Sequence, residues 1–281
     1  MIKPILSGDE FLADVAVATT LPDELHVWWL GQSGFLVQWH GRHLLLDPYL
    51  SDSLTLKYTA TDKPHVRMTE RVIEPERLTF IDVVACTHNH TDHFDPDTLR
   101  PLLAANPGLT LIVPEANRLV SAERFRLSPE RFLGIDEEKT VEAAGFKLTA
   151  VPAAHETIER DEQGRLRFVG YIIDCDGRTI YHAGDTLVFD GMAGRLARQR
   201  IDVALLPING RDRARGVPGN MSGREAAALA RLALARVAIP CHYEMFEFNT
   251  ASPNEFVAEC QRLGQEFRVL RCGERLRQSP H

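Results

Sequence analysis

Residues 87–95 read THNHTDHFD, and the fold turns on what those positions are for. Three histidines and two aspartates crowd here, in a chain with 11 histidines among 281 residues. Imidazole and carboxylate groups add little to a core. At this composition the pattern H-x-H-x-D-H arises by accident in about one such sequence in a thousand, so a chemical reason is required. The run before it, IDVVACTH (81–88), reads as a buried strand ending on the cluster. DPDTLRPLLAAN (95–106) reads as a helix with Asp95 as N-cap and Pro96 at its first position. At a strand end, side chains two apart point to one side, so His88 and His90 can close on one divalent ion. After the turn, Asp92 and His93 can face a neighbouring position and hold a second. Nitrogen and oxygen donors without thiolate suit zinc, manganese or iron(II).

Four side chains do not fill two coordination shells. Three more candidates stand where apolar runs end: His155 in VPAAH, Asp185 in IYHAGD and His242 in VAIPCH. Each lies at the C-terminal end of its run, which brings all three to one edge of a sheet.

Farther out, LHVWWLG (25–31), GFLVQWHG (34–41) and RHLLLDP (42–48) read as a strand meander. Residues 51–80 are polar and proline-bearing, an insertion or long loop. LTLIVP, EANRLVSAERF, KTVEAAGFKLTAVPAAH, FVGYIIDC and GRTIYHAGD follow as strand, helix and strands. The last third alternates: strand DVALLPI, helix SGREAAALARLALA, strand RVAIPCH, helix SPNEFVAECQRLGQ, strand FRVLRC. Two β-rich parts with helical segments after them suit an α/β sandwich of two mixed sheets packed face to face, helices outside. No repeat and no Ser/Gly linker divides the chain, so one domain over 1–281 is expected.

The totals exclude several classes. Net charge is −7 with no basic run, so a nucleic-acid partner is not expected. Five scattered cysteines without C-x-x-C spacing read as reduced thiols. The N-terminus does not read as a signal peptide, and no apolar stretch approaches the ~18 residues of a membrane span. A cytoplasmic protein without a membrane partner is the expectation.

The histidine motif and its three distant partners resemble the metallo-β-lactamase superfamily, over roughly residues 26–272. The resemblance implies an αββα sandwich with a two-metal site at one edge. It implies a first metal at His88, His90 and His155, a second at Asp92, His93 and His242, and Asp185 bridging them. VWWLGQSGF, IYHAGDT, IDVALLP and RVAIPCHYE further look like stretches of the L-ascorbate-6-phosphate lactonase group, which implies manganese, where many other members use zinc.

Two ions ~3.5–4 Å apart can share one water and lower its pKa from ~15.7 toward neutrality. The expectation is therefore a dinuclear hydrolase acting on a small anionic substrate, a lactone or phosphate ester. Asp185 and Asp92 are its catalytic candidates, Asp92 as proton relay or as ligand only. Neither a G-x-S-x-G elbow nor a G-x-x-x-x-G-K-[ST] loop is present.

Substrate contacts are sought in PINGRDRARGVPGN (207–220), which carries Asn209, Arg211, Arg213 and Arg215. Guanidinium binds phosphate or carboxylate bidentately. The same loop could instead be solvated or meet a second copy in a homo-oligomer. Tyr243, next to His242, is a further candidate. His182 could orient Asp185 or simply pack; Asp47 could support His90 or its neighbours, or cap a turn. Gln32 and Ser33 read chiefly as a hairpin turn. His26, His40, His43, His65 and His281 match no ligand slot. The alternative function is a metallo-phosphodiesterase or nuclease on the same fold. Oxygen-reducing members of the superfamily this chain resembles carry an acid where His90 stands, which tells against a redox role, and a metal-free scaffold would not keep the full donor set.

Overall fold

The computed structural model describes residues 1–279, with the side chain of Arg213 outside the description. After helix α1 (Gly8–Thr19), strands β1 (Leu25–Gly31), β2 (Gly34–Trp39) and β3 (Arg42–Leu46) form the antiparallel meander the three apolar runs call for. Their burial is almost continuous rather than alternating, because both faces of this sheet are covered. Helix α2 (Ser53–Tyr58) lies in the polar stretch 51–80.

Strand β4 (Val83–Ala85) is shorter than IDVVACTH suggested and stops ahead of the histidines. Helix α3 (Pro96–Ala105) starts as the sequence indicates: the Asp95 carboxylate accepts from the N–H groups of Asp97 and Thr98. Strand β5 (Thr110–Pro114), helix α4 (Arg118–Phe125) and strand β6 (Phe132–Ile135) follow. Then come β7 (Thr140–Ala143), β8 (Phe146–Pro152), β9 (Val169–Cys175) and β10 (Arg178–His182). After the short helix α5 (Met192–Leu196), β11 (Val203–Pro207), α6 (Gly223–Leu232), β12 (Val237–Cys241), α7 (Asn254–Leu263) and β13 (Arg275–Gln278) close the chain. Helix α6 opens with a capping box between Ser222 and Glu225.

The strands form two mixed sheets, ordered β13-β1-β2-β3-β4-β5-β6 and β12-β11-β10-β9-β8-β7. One apolar cluster, from Trp28 and Phe35 to Tyr171 and Leu205, runs through both. The αββα sandwich expected from the pattern is the fold observed. One expectation fails: FRVLRC is not a strand, and the edge partner of β1 is β13, with Leu25 opposite Gln278. FRVLRC pairs at one point only, a parallel bridge from Phe267 to Ala238 of edge strand β12. No helix of the described residues is long and apolar enough to cross a membrane.

Candidate metal centre

All seven candidate donors leave the ends of strands or the loops just beyond. The motif loop is folded back by two bonds to one acceptor: the N–H groups of His93 and Phe94 both donate to the His90 carbonyl, at 3.1 and 2.7 Å. His155 lies past β8, Asp185 past β10 and His242 directly past β12. Asp185 needs Gly184 beside it. A Cβ there would sit 2.8 Å from the Thr87 side chain, and the backbone is left-handed at φ 62°. This close approach brings the second sheet's edge onto the motif of the first.

The side chains meet in three overlapping groups: His88, His90 and His155; His88, His93 and Asp185; Asp92, His93 and His242. Within each, one donor atom per residue lies within 4.8 Å of the others. Asp185 spans the cluster, with Oδ1 3.3 Å from His93 Nε2 and Oδ2 3.4 Å from His242 Nε2. Asp92 Oδ2 is 3.5 Å from His242 Nε2 and 3.7 Å from His93 Nε2.

A divalent cation fits this cluster on two grounds. Nε2 of His88 and of His93 and Oδ1 of Asp185 are buried without a hydrogen-bond partner among the described residues, a cost a folded protein rarely leaves uncompensated. The charge balance points the same way. Burial alone would raise the carboxyl pKa of Asp92 and Asp185, but the His93 and His242 imidazoles outweigh it and hold both well below the usual carboxylate range. Burial opposes charge on His93, yet Asp185, Asp47 and Asp92 together hold its pKa well above the usual imidazole value. Burial and then the neighbouring His93 and His90 push His88 far down, so its lone pair stays available. The buried carboxylates demand positive charge, which protons supply unless a metal does.

Asp47 holds this cluster from behind. Its Oδ2 accepts from His93 Nδ1 at 2.7 Å, His182 Nε2 at 2.8 Å and Thr87 Oγ1 at 2.7 Å. Its Oδ1 accepts from the Thr87 N–H at 2.7 Å. It therefore supports His93 rather than His90, and His182 braces Asp47 rather than Asp185. One sign of this was readable: Asp47 is an acid at a strand end, like the donors themselves.

Gln32 lies in the β1–β2 hairpin turn, as read from the sequence, and also reaches the cluster. Its fully buried amide donates to Asp92 Oδ2 at 2.8 Å and stands 3.1 Å from His242 Nε2. Its backbone carbonyl accepts from the His242 N–H at 2.9 Å. A polar side chain between two buried strands was the signal.

The cluster lies at one side of a cavity of about 600 Å³ that reaches His90, Asp92, His155, Asp185 and His242. Asn209 lines it, bonded to Asn249 and Asn220 at 3.0 and 2.9 Å. Two of the expected substrate contacts do not reach it. Arg215 spends its guanidinium on the carbonyls of Asn209 and Thr250, at 2.6 and 3.0 Å, so it clamps the rim. Tyr243 is buried under Trp29, ring centroids 4.6 Å apart, with its hydroxyl on the Leu270 carbonyl. Arg211 forms a surface pair with Glu225 at 2.6 Å. The Arg213 side chain and His281 lie outside the described residues. His65, which fits no ligand slot, does line the cavity, with Lys57, Tyr58, Arg124 and Phe248; no sequence pattern singles these out.

The family model described as beta-lactamase superfamily domain matches residues 42–243. A protein of Methanopyrus kandleri described as a UPF0173 metal-dependent hydrolase is 30% identical, over 88% of this chain and 96% of its own length. One of Rubrobacter xylanophilus with the same description is 30% identical, over 89% and 95%. Among solved structures, Igni18, a metallo hydrolase of Ignicoccus hospitalis, superposes with a TM-score of 0.67 at 24% identity, covering 91% of this chain and 98% of that one.

Proposed function

This chain belongs to the beta-lactamase superfamily and, within it, to the UPF0173 metal-dependent hydrolases, and from that premise we propose that it hydrolyses a small molecule with two divalent ions. The observation that carries the reading is the buried convergence of seven nitrogen and oxygen donors in overlapping groups. His88, His90 and His155 would hold one ion, and Asp92, His93 and His242 the other, with Asp185 shared. Manganese or zinc suits this donor set. When bound, the ions would bring a shared water toward neutral pKa and polarise the oxygen of a carbonyl or phosphoryl group.

The protein's own part is positioning. Asp47 anchors His93 through Nδ1, which turns Nε2 toward Asp185 and Asp92. Gln32 steadies the Asp92 carboxylate. Asp92 is held strongly ionised, which favours coordination over proton storage. A cavity of about 600 Å³ has small-molecule size, which supports a lactone or phosphate ester, as in the lactonase group, over a nucleic-acid strand. The cysteines, all free and buried, fit a reducing, cytoplasmic setting.

The test pairs elemental analysis of native protein with hydrolysis screens on lactones, phosphomonoesters and phosphodiesters. Asp185→Asn should lower both the second ion's occupancy and turnover. Full metal content with unchanged turnover would overturn the assignment.

A further inference from the structure

One wall of the cavity takes no part in the donor cluster. It consists of three half-buried rings: Tyr58 at the end of α2, His65 in the following loop, and Phe248 beyond β12. His65 lies on Tyr58 with centroids 4.2 Å apart and planes 18° from parallel. Phe248 leans on His65 at 4.4 Å and 58°. Beneath them Phe246, buried, meets the His65 ring at 5.1 Å and 69°. His65 Nδ1 is 3.1 Å from the Lys63 carbonyl, which can only accept, so the ring is pinned by a bond as well as by packing.

These rings sit on a small apolar cluster of Tyr49, Leu54, Met245 and Phe246, separate from the main core. Apolar ring surface gathered in one concave place, rather than scattered over the exterior, marks a recognition surface. Two cations also line the cavity. The Lys57 ammonium lies 5.0 Å over the Tyr58 ring, and the Arg124 guanidinium donates to the Asn89 carbonyl and Thr91 Oγ1 at 2.8 and 2.9 Å.

We propose that this wall receives the part of the substrate that does not react, and that this part is a flat apolar group, an aromatic ring or conjugated system. This rests on the hydrolase reading for the other end, where the bond to be cut faces the donor cluster. A flat group packs edge-to-face against the side of the Tyr58–His65 stack, beside Phe248. The arrangement favours esters or lactones of aryl-bearing acids.

The probes are acetate, 3-phenylpropionate and 3-cyclohexylpropionate, which share a carboxylate and differ in the group behind it. Binding is measured by calorimetry on native protein and on the same protein after chelator treatment. The phenyl acid should bind at least about tenfold more tightly than acetate, and about threefold more tightly than its cyclohexyl analogue. Tyr58→Leu and Phe248→Leu should each cut the phenyl advantage about two- to tenfold, with acetate binding unchanged. Equal binding of phenyl acid and acetate would overturn the proposal. So would equal binding of phenyl and cyclohexyl acids, or an advantage that survives both variants. Native protein without metal that still prefers the phenyl acid would support the wall and sink the hydrolase reading. Metal-dependent acetate binding with no phenyl advantage would do the reverse.

Discussion

Replacing Asp47 with asparagine keeps the shape of the side chain and removes its charge. The carboxylate is fully buried and accepts four hydrogen bonds, three at Oδ2 and one at Oδ1. An asparagine has one accepting oxygen. Its least damaging orientation keeps that oxygen toward His93, His182 and Thr87 Oγ1, and turns the NH2 against the Thr87 N–H. Two donors then face each other without water, which costs about 1–3 kcal/mol. The bonds to both histidines also lose their ionic character, for a total of about 3–5 kcal/mol, the range for breaking a buried pair. The backbone does not blur the comparison, because asparagine tolerates the left-handed conformation found there, φ 40°. Freed from its anchor, His93 should bind the second ion about 10–100-fold more weakly. Urea unfolding in chelator reads the first effect, and competition against a chromogenic chelator reads the second. A stability loss below about 1 kcal/mol with unchanged metal affinity would refute the reasoning. Lost stability with unchanged affinity would confine Asp47 to the fold.

Gln32→Leu should weaken the second metal-binding step about tenfold and leave the first unchanged, since its amide touches Asp92 and His242 only; equal effects on both steps in the chelator titration would contradict this. Arg215→Ala should cost about 1–2 kcal/mol of stability and reduce turnover of anionic and neutral substrates alike, because its donors serve the Asn209 and Thr250 carbonyls. A KM increase confined to anionic substrates would restore it as a substrate contact. His43 gives a pH effect away from the cavity. Burial pushes its imidazole pKa down to about 4, with Asp82 opposing and Arg42 assisting. The unfolded chain therefore takes up this proton first, and stability falls as pH drops from about 6.5 toward about 4, by up to about 3 kcal/mol. His43→Leu should flatten that slope in urea midpoints, and an unchanged slope would count against it.

Much of this protein was legible in its residues. The motif at 88–93 stood out because histidine and aspartate at that density have no use in a core. His155, Asp185 and His242 could be added because each ends an apolar run, and strand ends of one sheet share an edge. Helix α3 began where Asp95 said it should, since N-cap chemistry is local. Strand β6 and edge strand β13 were not legible, because a short edge strand is chosen by the neighbour that offers hydrogen bonds.

What sequence alone determined is thus the set of candidate donors and the class of fold, both written in residue type and spacing. Tertiary structure decided which way each polar group points. Only the meeting of two sheets could put Asp47 behind His93, turn Arg215 onto backbone carbonyls and bury Tyr243 under Trp29. It also brought Tyr58, His65 and Phe248 to one wall. Orientation depends on partners distant along the chain, and no local pattern encodes the distance between them.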